Sequence, residues 1–408
     1  MHVLYITDYF NTPEEGGLLR TWEISQYLKK KGCEVTVICS SAHHMTGETI
    51  GKNGLLNKKN IEGVDVIKTH SFTKYRNSTL KRIIYYIFFP ILAFFGALTV
   101  KRPDIIITSS PPLFLLPLGF LLCKLKRRKF IVEVRDAWLE FAIARGLVPD
   151  RLIKPLKALQ YFLFKKADKI IAVTPRIKKI VDRYTKDSSR SILLMNGFED
   201  GIDRACNHLE EDIIKLKREY DIEDKFVVTY TGTLGLARDY EIFGKTALLL
   251  KSYEDILFLF VGEGEKKVEL VKYCQENALE NCKFLPLQPR YKIPLFLKAS
   301  HVALNSIRKN DALESSLSNK IFDYLGNGVP VIFSGKGDTA DFLEESGGGV
   351  AVEAENAEEM KQAILKFYNS EKFREETARQ GQRYVLDNYT RSKILTRLDD
   401  VLKGTPGK

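Results

Sequence analysis

At 408 residues the chain is longer than one ordinary domain, and two domains of roughly 200 residues are expected. Its 44% hydrophobic and 28% charged residues exclude a disordered chain. Its net charge of +11 comes with no nucleic-acid-binding motif, and its six cysteines are scattered without a C-x-x-C, which argues against a zinc site or a disulfide framework.

The first residues, HVLYIT at 2–7, form a short apolar run, which predicts a buried strand rather than a signal peptide. A loop at 8–17 follows, then a helix over about 18–30 and a second strand over 34–39. This strand–loop–helix–strand order points to a parallel, doubly wound sheet. The loop carries Gly16 and Gly17, which permit close approach of a ligand, and then Arg20. It is not the G-x-G-x-x-G dinucleotide fingerprint. Residues 40–60 are polar and loop-like, and 64–68 is a short strand. His43 and His44 fall in that loop and make no metal-ligand pattern.

Residues 83–100 are uncharged and long enough for a membrane span. Pro90 interrupts them, and the strand PDIIITS follows at once, so a buried or interfacial helix is expected. Residues 111–123 are again strongly apolar. Lys81-Arg82, Lys101-Arg102 and Lys126-Arg127-Arg128-Lys129 bracket the two runs. Basic and apolar segments together point to an anionic membrane surface, not to nucleic acid. The strand at 130–134 ends in Arg135, Asp136 and Trp138, where parallel sheets place ligands; a structural ion pair is the alternative. Residues 199–222 have the charged character of a linker and its flanking helix. A second α/β series then begins, with the loop TGTLGLARDY at 231–240 and a strand ending in Gly262, Glu263 and Gly264. A single long helix is expected over 374–403, long enough to cross back to the first half.

The densest motif is ESSLSNKIFDYLGNGVPVI at 314–332. Ser316 or Ser318 can cap a helix whose apolar face is Ile321, Phe322, Tyr324 and Leu325, and Gly326 and Gly328 stop it before a short strand. The first turn of such a helix is a seat for phosphate, with Lys320 as a nearby cation. Asp323, on the same face, is suited to two sugar hydroxyls; a Lys320–Asp323 surface pair is the alternative.

Taken together, Gly16-Gly17-x-x-Arg20, TSSPP at 108–112, EVRDAW at 133–138, YTGTLG at 230–235, VGEGE at 261–265 and SNKIFDYLGNGVPVI at 318–332 resemble a family 4 glycosyltransferase. The nearest subgroup resembles the bacterial WbuB-type L-fucosamine transferases of surface-polysaccharide assembly. The resemblance implies the GT-B fold: α/β, with two Rossmann-like doubly wound domains facing a central cleft. The expected divisions are an acceptor domain over 1–198, a nucleotide-sugar donor domain over 199–385, and a C-terminal helix over 386–408 crossing back.

The implied activity is retaining transfer of a sugar from a nucleotide-sugar, UDP-linked and with the N-acetylhexosamine type among the donors implied, to a lipid-linked or saccharide acceptor. The enzyme would work on the cytoplasmic, inner face of a membrane as a peripheral protein, with no cofactor and no metal. The resemblance implies that Asp323 holds the ribose and that Ser316, Leu317 and Lys320 surround the diphosphate, with Gly16, Gly17, Gly235, Gly262 and Glu263 also on the donor side. Lys320 and Arg238 are the expected catalytic cations, although Arg238 could instead pair with Asp239 or Glu241. Asp136 is expected to orient or deprotonate the acceptor, with Arg20, Arg135 and Trp138 beside it.

The chain departs from the family's Glu-x7-Glu pair. Ser315 stands where the first Glu belongs, Glu314 is one position off, and Asp323 shortens the second. A histidine that many relatives place near Arg135 is absent. Two other readings compete: a UDP-sugar 2-epimerase of the same fold, and a catalytically weak nucleotide-sugar-binding subunit.

Overall fold

The structure, a computed structural model, describes all residues except 16–18, 43–53, 72–78, 145, 200–208, 236–237 and 404–408. The chain divides into two compact units, Met1–Met195 with Leu395–Lys408, and Asn196–Ile394.

In chain order the first unit contains β1 (His2–Ile6), α1 (Arg20–Lys30), β2 (Glu34–Ser40), β3 (Leu56–Ile61), β4 (Val64–Thr69), α2 (Thr79–Leu98), β5 (Ile105–Ser110), α3 (Leu115–Lys126), β6 (Lys129–Val134), α4 (Trp138–Ala144), α5 (Asp150–Lys166), β7 (Lys169–Ala172), α6 (Pro175–Thr185) and β8 (Ser191–Leu193). The strands form one sheet in the order β3-β4-β2-β1-β5-β6-β7-β8, parallel throughout except for β3. β1 and β5 are buried along their whole length, as apolar strands covered on both faces must be.

Two expectations change here. The polar stretch 40–60 contains a strand, β3, antiparallel to β4 and closed by Glu62 and Gly63 at positive φ. Its LNKKNI sequence is that of an exposed edge, where lysines discourage further pairing, so it carries no apolar alternation. Pro90 does not interrupt α2. One lost backbone bond is offset by the buried face Tyr85, Phe89, Ala93 and Ala97. Among the described residues no helix is long and apolar enough to cross a membrane.

The second unit contains α7 (Leu209–Glu219), β9 (Phe226–Thr231), α8 (Glu241–Leu249), β10 (Ile256–Val261), α9 (Lys267–Glu276), β11 (Cys282–Leu285), α10 (Ile293–Lys298), β12 (Val302–Ser306), α11 (Asn319–Gly326), β13 (Val331–Ser334), α12 (Asp338–Ser346), β14 (Gly349–Val352), α13 (Ala357–Asn369) and α14 (Glu371–Asn388). Its sheet is wholly parallel in the order β11-β10-β9-β12-β13-β14. Successive strands run outward from β9 on one side and from β12 on the other. The C-terminal ends of this central pair are therefore a topological switch point.

The single long helix expected over 374–403 is three: α14, α15 (Arg391–Leu395) and α16 (Leu398–Lys403). The first break is at Tyr389 and Thr390. Phe198 forms a parallel bridge with Thr390, and its N–H donates to the Tyr389 carbonyl at 2.8 Å. That pairing draws the chain out of helical conformation.

Candidate functional site

α11 begins beside the switch point. Ser318, not Ser316, is its cap: the hydroxyl accepts the Lys320 N–H at 3.3 Å. Ser316 and Leu317 lead into that cap. The Ser316 N–H donates to the Leu313 carbonyl, and Leu317 is buried. Ile321, Phe322, Tyr324 and Leu325 are all buried, anchoring the helix on the sheet. The Tyr324 hydroxyl accepts the Thr231 N–H at 3.0 Å, tying α11 to the end of β9.

The loop after β9 is shaped by close approach. Gly232 has φ +111°, and a Cβ there would lie 2.7 Å from Cε and 2.9 Å from Nζ of Lys320. The lysine therefore lies along the bare backbone of Gly232, with its ammonium 5.5 Å from the centroid of the Tyr230 ring. Gly262 and Gly264 serve packing: a Cβ on either would meet the Gly232 or the Leu234 carbonyl oxygen at 2.1 or 2.2 Å. The Gly235 N–H donates to the Tyr240 hydroxyl at 3.0 Å. Glu263 bridges to Lys267 at 2.6 Å on a half-exposed surface.

Arg238 pairs with neither Asp239 nor Glu241. Its Nη1 donates to the Ser306 carbonyl at the end of β12, at 3.0 Å; Glu241 is taken by Lys245 at 2.7 Å. Among the described residues no carboxylate is in ion-pair contact with Arg238 or Lys320. Burial, with the positive charges of Arg238 and Arg290, pulls the Lys320 ammonium down from 10.5 to about 8, against an opposing pull from Asp323. The side chain is only half-buried, so remaining solvent moderates that shift. Two cations without a counter-charge beside a capped helix N-terminus form a site that favours a bound anion.

Asp323 is buried, and it does not pair with Lys320 either. Its carboxylate accepts both terminal nitrogens of Arg290, at 2.7 and 2.6 Å. Arg290 also meets Glu199 at 3.4 Å, and Glu199 meets Arg391 at 3.4 Å. Arg290 and Glu199 were not anticipated from the sequence. Nothing in LQPRYKIP marks Arg290, because its partner lies 33 positions away in the chain.

The acceptor-side candidates lie in the first unit. Arg20 is committed to structure: its Nε donates to the fully buried Glu133 at 2.8 Å, and its Nη2 to the Leu194 carbonyl at 2.8 Å. Glu133 also accepts the hydroxyls of Tyr5 at 2.5 Å and Ser109 at 2.9 Å. Burial pushes this carboxyl up, but Arg20, Arg135 and the hydrogen bonds outweigh it and hold it below its ordinary value. Trp138 packs edge-on against Tyr86 and Phe114, with centroids at 6.0 and 6.4 Å. Arg135 is half-buried, and its N–H donates to the Ser110 carbonyl.

Asp136 is open to solvent, while the protein crowding it raises its carboxyl to about 6. Solvent access argues for a smaller rise, and in either case the group is ionised at neutral pH. Gly16 and Gly17, like His43 and His44, lie outside the described residues.

Residues 16–200 match the family described as Glycosyltransferase Family 4, and residues 212–384 match Glycosyl transferases group 1. The chain is similar to a protein of Escherichia coli K12 that carries the name of a colanic acid biosynthesis glycosyl transferase, WcaI. Identity is 25% over 372 residues, covering 87% of this chain and 90% of that one. Among solved structures it resembles Anabaena Alr3699/HepE in complex with UDP-glucose, with TM-score 0.72, 15% identity, and 99% and 100% of the two chains covered. It also resembles an α,α-trehalose-phosphate synthase (UDP-forming) from Burkholderia vietnamiensis, with TM-score 0.74, 13% identity and 98% of each chain covered. Two matched family regions that together span most of the sequence, on a two-domain α/β fold of the GT-B type, make the chain a family 4 glycosyltransferase.

Proposed function

We propose that the chain transfers a sugar from a UDP-sugar to a lipid-linked acceptor, with retention of configuration, on the inner face of a membrane during surface-polysaccharide assembly. The observation that carries this is the pair of cations Lys320 and Arg238, in ion-pair contact with no carboxylate among the described residues, beside the N-terminus of α11 at the switch point. A departing nucleoside diphosphate develops negative charge as the glycosidic bond breaks. Fixed cations and helix amides stabilise that charge most when it is greatest. The UDP and UDP-glucose bound in HepE support a uridine nucleotide here, and the name of WcaI supports a polysaccharide pathway. An amino sugar of the L-fucosamine or N-acetylhexosamine type is the donor class that the WbuB-like motifs favour. Asp136, ionised and accessible, is assigned to orient or deprotonate the acceptor hydroxyl, with Arg135 and Trp138 beside it.

Incubation with UDP-sugars and a membrane extract tests the assignment. A transferase makes a new lipid-linked sugar. Interconversion of free UDP-sugars alone identifies an epimerase instead, and binding without either product identifies a nucleotide-sugar-binding subunit.

The pH dependence of binding has a definite sign. The bound diphosphate favours charged Lys320, so binding takes up a proton wherever the free enzyme has lost it. UDP affinity is expected to fall as pH rises through about 8, toward a limit of about tenfold per pH unit. The nucleotide stays ionised there, since the second ionisation of a terminal phosphate falls at about 6. Calorimetry across this range checks the prediction. Lys320→Arg, which keeps its charge, should flatten the profile; an unchanged slope in that variant removes Lys320 from the diphosphate site.

Asp323 is assigned to the ribose hydroxyls, which must then share its carboxylate with Arg290. Asp323→Ala is expected to weaken UDP binding at least about tenfold, the scale of a hydrogen bond to a charged group. It should also lower the melting temperature, because Arg290 loses its two-pronged partner. Asp323→Asn keeps the shape and one acceptor oxygen. Unaltered UDP affinity in both variants would limit Asp323 to a structural ion pair.

A further inference from the structure

The outward face of α2 is apolar and uncovered. Ile87, Phe88, Ile91, Phe95 and Leu98 are between 47% and 55% exposed. Positions 87, 91, 95 and 98 follow the helical repeat and lie on one face. The opposite face, with Tyr85, Phe89, Ala93 and Ala97, is in the core. α3 packs beside α2 and extends the ridge with Leu121 and Leu125, 48% and 59% exposed. The Lys126 ammonium donates to the Val100 carbonyl at 2.9 Å, fixing the end of α3 to the end of α2.

The segments that carry this ridge are charged with one sign, while the exposed acids Glu34 and Asp65 share a cavity with Lys58, Lys59 and Lys101 beyond the end of α2. Lys101, Arg102, Lys124 and Arg127 are exposed at the margin of the ridge. The sole acid between positions 79 and 132 is Asp104, whose carboxylate accepts the His2 N–H at 2.7 Å.

We propose that the α2–α3 ridge is a docking surface for an anionic lipid bilayer, with its apolar side chains entering the headgroup–acyl boundary and its basic margin meeting the lipid phosphates. Ile87, Phe88, Ile91, Phe95 and Leu98 offer no hydrogen-bonding group, as a surface meant for acyl chains does not need one, and the exposed Lys81 lies at the opposite end of α2 from Leu98. The lysines and arginines at the margin can extend their charged ends toward headgroups while their stems stay on the apolar ridge. A second copy of the chain is a poorer occupant. A twofold contact over this face would bring together two sets of like charges from Lys124, Arg127 and Arg102, and α2 and α3 carry no acid to offset them. The ridge extends the lipid-linked-acceptor reading by naming the surface that brings the enzyme to such an acceptor, but it stands on its own exposed residues.

Vesicle flotation of the full chain tests this, comparing phosphatidylglycerol/phosphatidylethanolamine vesicles with pure phosphatidylcholine. Capture is expected on the anionic vesicles only, and it should weaken as salt rises. Ile91→Ser/Phe95→Ser and Lys124→Glu/Arg127→Glu should each reduce capture by about tenfold or more, since one removes inserted apolar area and the other reverses two attractions. All four positions are exposed, so melting curves and UDP affinity should match those of the unaltered chain.

Equal capture by neutral vesicles, no capture at all, or variants that float like the unaltered chain would overturn the proposal. So would a lipid-free dimer, seen by light scattering, that Phe95→Ser converts to monomer. Transfer to a water-soluble acceptor keeps the two readings apart. Its absence with flotation intact counts against the transferase reading alone, and its presence without flotation counts against the docking surface alone.

Discussion

Lys320→Ala is expected to lower turnover by about 10²–10³-fold, the scale measured for removal of one preorganised stabiliser of developing charge. The ammonium is held along Gly232 and over the Tyr230 ring, close to the first turn of α11. No carboxylate among the described residues neutralises it, so its charge is available to a ligand. The melting curve should not suffer. Burial and two nearby arginines depress the folded lysine below its unfolded value, so the charged form is disfavoured in the free enzyme. The unfolded chain therefore holds more protons between about 8 and 10.5, and stability rises with pH across that window. Alanine removes this burden along with the catalytic charge. Steady-state kinetics beside thermal melts are the measurement. A loss confined to KM would show uniform binding of the diphosphate and not stabilisation of its departure. Normal turnover with a lowered melting temperature would reduce Lys320 to a packing residue.

Arg20→Ala is expected to destabilise the protein by roughly 3–5 kcal/mol, the range for stripping one partner from a buried pair. Glu133 is inaccessible to solvent and would keep the hydrogen bonds of Tyr5 and Ser109 and the charge of Arg135, while losing its ion-pair partner, and the Leu194 carbonyl would lose its donor. The pH dependence follows from the same geometry. The folded Glu133 carboxyl lies below its ordinary 4.5, so its contribution is present above that value and is lost as pH falls through the depressed folded value. The gap between the variant and the unaltered protein should therefore be widest at neutral pH and close in acid. Chemical denaturation at two pH values measures it. The acceptor role first expected for Arg20 makes the opposite forecast: an unaltered denaturation midpoint and a raised KM for acceptor.

The central strands of both sheets were visible in the sequence because they are buried on both faces. IIITSS and FVVTYT need apolar, β-branched side chains in either direction, and a short unbroken run results. The α11 motif was visible for another reason: its cap, apolar face and glycine stop all lie within about three helical turns of continuous sequence. β3 was hidden because an exposed edge strand has no face to bury. α4 is a seven-residue helix, too short to display a period.

Side-chain partnership could not be read in this way. Spacing alone places Lys320 beside Asp323 and Arg238 beside Asp239, and neither pair forms. Asp323 takes a guanidinium 33 positions away, and Arg20 takes a carboxylate 113 positions away. The sequence by itself determined the α/β class, the cores of the strands, the capped helix and the family motifs, since local backbone preference and burial pattern are written in neighbouring residues. Only the tertiary structure decided which charges are spent on holding the fold and which remain for a ligand. A buried charge takes whichever partner the packed chain brings within hydrogen-bonding distance, and that distance is unrelated to separation along the sequence.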